Sequence, residues 1–180
     1  MKEMPVTKPG IRVESTDIPR ISRIFAEPDV ELAGTWISNI LQVASDNGRV
    51  FTEGGELFLA YLQDKASESL RYRFLLAQRP DNAEEPWSTQ EALQRAAPLR
   101  AKQTTLVAGL LFGATMSHVR LGLINVVVVH PPCRINLGHG NNPSQLFLRK
   151  GSRGDDLYSS WTMRRDGSLA NFVDAVLLAY

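Results

Sequence analysis

Val119-Arg120-Leu121-Gly122-Leu123-Ile124-Asn125-Val126-Val127-Val128-Val129 is the stretch on which the fold turns, and His130-Pro131-Pro132 closes it. Four consecutive β-branched residues are stiff at χ1 and favour a strand over a helix. A strand alternates its side chains between two faces, so a run with no polar member needs both faces covered. The stretch therefore predicts a strand over 119–129, central in a sheet or covered by an interface, and ended by the proline pair.

Downstream, residues 131–145 are rich in Gly, Pro and Asn and read as a loop. Leu146-Phe147-Leu148 and Leu157 to Met163 read as a hairpin around Gly151-Ser152-Arg153-Gly154. Asp166-Gly167 turns the chain. Ser168 then looks like the cap of a last amphipathic helix, with Leu169, Phe172, Val173, Val176 and Leu177 inside.

Upstream, Thr104 to Met116 is apolar, with Gly109 and Gly113 four apart. Helix and strand both fit it, and small residues at that spacing admit a close backbone, within the fold or between subunits. Ser88-Thr89-Gln90-Glu91 is a capping box opening a short helix that Pro98 closes. Beyond Lys65 two readings compete: Leu70, Tyr72, Phe74 and Leu76 alternate as in a strand, with Arg71 and Arg73 opposite, while Leu70, Phe74 and Ala77 suit a helix, and the aromatic residues tip the balance to strand. Thr52 caps a helix carrying Leu57, Phe58, Tyr61 and Leu62. Ala33, Trp36, Ile37, Ile40, Leu41 and Ala44 mark a helix over 29–46, stopped by Asn47-Gly48. Pro5, Pro9, Pro19 and Pro28 punctuate an extended N-terminal arm, 1–28, with Ile18, Ile21, Ile24 and Phe25 as apolar anchors. The expected class is α+β: a helical N-terminal half packed on a mainly antiparallel sheet, a C-terminal helix, and one domain over 29–180.

The 180 residues suit a single domain, and 43% hydrophobic with 22% charged content excludes a wholly disordered chain. Cys133 is the only cysteine, which excludes an internal disulfide framework. Met1 to Val6 holds no apolar export signal, and Arg120 interrupts the longest apolar region, so no transmembrane segment is expected and the location is expected to be cytoplasmic.

The formal charge of +1 hides a division. Residues 1–98 hold 11 basic and 15 acidic residues, and residues 99–180 hold 9 and 4. No acid occurs in the 63 residues between Glu91 and Asp155, which carry eight Lys or Arg. Arginine outnumbers lysine 15 to 5, and its fork suits phosphate and carboxylate. Arg149, Lys150, Arg153, Arg164 and Arg165 gather on the predicted hairpin among Phe147, Tyr158 and Trp161. Cations beside rings are what surfaces for single-stranded nucleic acid use. Arg149, Lys150, Arg153, Arg164, Arg165 and Trp161 are thus the candidate polyanion-binding residues, and the partner is nucleic acid, RNA included, or an anionic membrane surface.

Catalytic constellations are scarce. His130, Cys133 and His139 offer three possible metal ligands in ten residues, but zinc wants a fourth group and the prolines restrict the bite. As a nucleophile, Cys133 needs His130, His139 or His118 as base, and its Pro-Pro-Cys-Arg setting matches no nucleophile signature. No metal, cofactor or catalytic residue is expected. The reading is a non-enzymatic, self-associating structural protein, of the coat, matrix or nucleoprotein type, that contacts a polyanion. A small hydrolase or transferase with a Cys/His site at 130–142, and a regulatory protein-binding module, are the alternatives.

Overall fold

Val126 and Val128 enter one hydrophobic core, Val127 and Val129 a second, and none of the four is more than 1% exposed. The computed structural model describes residues 10–27, 42, 44–46, 48–62, 73–80, 87–115, 122–123, 125–136, 141–153 and 156–180. Nine strands form one sheet: β1 Gly10–Ser15, β2 Ile21–Glu27, β3 Arg49–Phe51, β4 Arg73–Gln78, β5 Asn125–Val128, β6 Cys133–Asn136, β7 Asn141–Lys150, β8 Asp156–Thr162 and β9 Ala175–Ala179. The helices described along their full length are α1 Glu53–Leu62, α2 Thr89–Ala96 and α3 Leu106–Thr115, with a 3-10 turn at Ala97–Leu99.

The strand order is β1-β2-β4-β9-β5-β7-β8-β3, and β6 pairs with β7. β5 and β9 are parallel, as are β3 and β8, and the other pairs are antiparallel. The sheet is therefore mixed, and it corrects the expected architecture. The N-terminal half is not a helical layer, since it supplies β1 to β4. β1 and β2 form a hairpin whose second strand lies against β4.

The C-terminal helix is also overturned. Ala175 to Leu178 are all 0% exposed, in the middle of the sheet between β4 and β5. A run buried on both faces has no polar period, so Leu169, Val173, Val176 and Leu177 matched a helical stripe by coincidence. Ser168 closes a turn instead: its backbone N–H and hydroxyl both donate to Asp166 Oδ1, at 3.0 and 2.7 Å. Those bonds hold the Asp166 carboxyl below its ordinary pKa.

The valine strand begins at Asn125, later than position 119, with Gly122 in a left-handed turn. Residues 131–145 are not a loop throughout, because β6 and β7 pair across them. Residues 106–115 settle as a helix. A Cβ on Gly109 would stand 2.5 Å from Val128 Cγ1, and one on Gly113 2.6 Å from Tyr158 Cε1. The small-residue spacing thus seats α3 on β5 and β8 within the fold. Phe74 and Leu76 face one core, but Leu75 and Ala77 face the other, so β4 is buried on both sides.

Other local readings hold. Gly55 N–H donates to Thr52 Oγ1 (3.3 Å) and Glu56 N–H to Thr52 O (2.9 Å), the N-cap pattern of α1. Ser88 and Glu91 make both capping-box bonds, at 3.1 and 2.7 Å. Most of the helix expected over 29–46 lies outside the described residues, but Gln42 and residues 44–46 are helical and Gly48 adopts the left-handed stop. α1 and α3 cover the face carrying Val126 and Val128, while α2 and residues 163–174 cover the other. No described helix is long and apolar enough to cross a membrane.

Candidate functional site: one end of the sheet

β2, β5, β8, β3 and β9 begin, and β4 and β7 finish, at one end of the sheet, as the pairs Ile21–Ala77, Gln78–Ala175, Asn125–Arg149 and Arg49–Asp156 require. This end gathers Arg20, Arg79, Arg149, Lys150, Arg153 and Arg49 in strand order. At about 4.8 Å between strands, the row from β2 to β8 spans about 24 Å. Among the described residues of these strand ends and turns, Asp17, Asp156 and Asp174 are the acids, against six cations.

The hairpin thus splits the sequence cluster. Arg149, Lys150 and Arg153 stay together around its turn, and all three are exposed. Arg164 and Arg165 follow Thr162, the far end of β8, about 20 Å away along the strand and on the side of the molecule where Arg134 lies. Trp161 belongs to neither group. Its ring packs 5.5 Å from Phe147 and 5.7 Å from Phe172, against the second core. Tyr158 is buried in the first core and donates to Leu110 O. The aromatic most open to solvent in this group is Phe172, at 56%.

Three arginines that sequence reasoning missed complete the site. Ile18-Pro19-Arg20-Ile21 is a turn closed by Ile21 N–H on Ile18 O, at 3.2 Å. Arg20 takes φ +62°, the value that the second central position of a type II turn demands and that glycine ordinarily fills. Its Nη1 donates to Arg79 O at 3.0 Å. Arg79 in turn donates from Nη1 to Asn171 O and from Nη2 to Asn171 Oδ1 (3.2 Å). Arg95 reaches the same corner, donating to Gln78 O (3.2 Å) and Pro19 O (3.1 Å). Burial, and then the charge on Arg20, pull the Arg95 guanidinium below its ordinary pKa. The available signal was positional: Pro19-Arg20 and Arg79-Pro80 both sit at turns, but only the β2–β4 pairing puts those turns side by side.

Beside Arg20 and Arg79 opens a cleft of about 390 Å³, lined by Arg20, Gln78, Arg79, Pro80, Gly122, Leu123 and Asp174. It lies where adjacent parallel strands are entered from opposite faces. Leu123, leading into β5, belongs to the first core; Val173, leading into β9, belongs to the second. Asp174 Oδ2 accepts the Asn125 N–H at 2.8 Å, which pins the two lead-ins together.

The histidine–cysteine group sits elsewhere, inside the sheet. Between the pairs Val127–Phe147 and Cys133–Ser144, five residues of one strand face two of the other. His130 fills the resulting bulge. It is 0% exposed; its Nε2 accepts the Leu146 N–H at 2.8 Å and its Nδ1 lies 2.7 Å from Pro131 O. An accepting Nε2 places the proton on Nδ1, so the ring is neutral and both nitrogens are engaged. Burial lowers its pKa to about 4. Cys133 is buried at 3% exposure. His118 and His139 lie outside the described residues, among which no group of three metal-ligand side chains occurs. No family model, curated protein or solved structure matches this chain.

Proposed function

We propose that the protein binds a polyanion, single-stranded nucleic acid foremost, along the end of the sheet. The observation that carries this reading is the row Arg20, Arg79, Arg149, Lys150 and Arg153, brought from four separate strands and turns to one edge. Cations in a row neutralise successive phosphates without reading sequence. Arg164, Arg165 and Trp161 are left out of this surface by their placement. Self-association and a cytoplasmic location complete the proposal; β1, the last strand on one side of the described sheet, is a natural place for a second copy to pair.

The test is the salt dependence of binding to a fluorescent oligo-uridine. Replacing Arg149, Lys150 and Arg153 together with alanine reduces the slope of log K against log salt by about 2, at about 0.7 for each phosphate that is no longer neutralised. An unchanged slope overturns the reading. Light scattering on the same samples reports the assembly state at low and high salt.

A further inference from the structure

Arg20 stands in a backbone position where glycine is cheaper. What arginine adds over glycine at that turn is a guanidinium on the wall of the cleft. Arg79 supplies a second guanidinium on the same wall, and its two bonds to Asn171 fix its plane. A guanidinium has five N–H donors in a rigid fork, and two forks facing one space match the oxygens of a phosphate. Arg95 is not on the wall, but it braces the corner behind it through its bonds to Gln78 O and Pro19 O. Asp174 and Gln78 are the other polar side chains on the wall. A carboxylate there disfavours a bare anion and favours a ligand that also presents hydroxyl or amino donors. The volume falls in the range of small-ligand sites.

We propose that the cleft beside Arg20 and Arg79 binds a phosphate monoester carried on a group of nucleoside size. The phosphate belongs either to a free nucleotide or to the 5′ end of a nucleic acid strand. In the second form the inference rests on the function proposed above; in the first it stands without it.

Two binding experiments separate these sources. Oligo-uridine labelled at its 3′ end is compared with a 5′-phosphate and with a 5′-hydroxyl, and adenosine 5′-monophosphate is titrated calorimetrically. A strand-end site favours the 5′-phosphate by about tenfold. A free-nucleotide site shows heat with adenosine 5′-monophosphate and no preference between the strands. Either result must vanish in Arg20→Gly, which suits the turn and keeps the fold, and in Arg79→Gln. No preference and no heat overturns the proposal, as does an effect that survives both substitutions. If there is neither preference nor heat but the 5′-hydroxyl strand still binds, with a slope that falls when Arg149, Lys150 and Arg153 are replaced, the cleft falls while the sheet-end reading stands.

Discussion

His130 illustrates how one side chain repairs a backbone defect. The three extra residues opposite Gln145 and Leu146 interrupt the ladder, and the imidazole supplies the acceptor that a carbonyl would have given. Gln145 Nε2 adds a bond to His130 O at 2.8 Å, and Phe58 packs edge-on 5.9 Å from the ring. Protonating Nε2 turns an N–H toward an N–H, so the fold holds the neutral form. With a native pKa of about 4 against 6.5 in the unfolded chain, the unfolded state binds the extra proton between those values. The contribution is present above pH 6.5 and is lost as the pH falls toward 4, amounting to about 3 kcal/mol. Between pH 7.5 and pH 4 the native protein therefore loses about that much more stability to urea than His130→Gln does, since carboxylate titration is common to both. Equal losses in the two proteins exclude the bulge as the origin.

Among the elements, α3 depends most on what a glycine leaves out. A methyl on Gly109 meets Val128 Cγ1 at 2.5 Å and Leu146 Cδ2 at 3.2 Å, and a β-branched neighbour cannot swing aside. Gly109→Ala gains about 1 kcal/mol of helix propensity and loses about 1–3 to overpacking. It destabilises the native protein, but in a Val128→Ala background, which removes the obstructing methyl, the same change stabilises. A double-mutant cycle by urea denaturation checks this; additivity refutes the close approach. The Gly109–Gly113 spacing announced that approach, and the capping box, the Thr52 cap and the Gly48 stop were equally legible, since each is written in neighbouring residues. β9 was not. Ala175-Val176-Leu177-Leu178 is apolar throughout, and only its pairing with β4 and β5, roughly 50–100 residues away in sequence, separates strand from helix. The site suffered the same blindness: Arg149, Lys150 and Arg153 are neighbours in sequence, whereas Arg20, Arg79 and Arg95 become neighbours only through the sheet.

At the scale of the molecule, β9 is the seam. On one side of it stand β4, β2 and β1 with Arg20 and Arg79; on the other stand β5, β7, β8 and β3 with Arg149, Lys150, Arg153 and Arg49. Its side chains feed both cores, Ala175 and Leu177 the first, Val176 and Leu178 the second. Its backbone joins the halves through β4 on one edge and β5 on the other. Burying a Val or Leu side chain is worth about 1.5–3 kcal/mol, so losing three of them, with both ladders, exceeds the net stability of many domains of this size. Deleting residues 175–180 is therefore expected to abolish the single cooperative urea transition, not merely to lower its midpoint. The same deletion removes the fixed spacing between the two groups of arginines. A peptide covering 173–180, added in excess, is expected to restore the transition and the proposed affinity for oligo-uridine together, because one strand sets both. Should the truncated chain unfold in one sharp transition with the slope of the full-length protein, the two halves cohere without β9 and the seam is elsewhere.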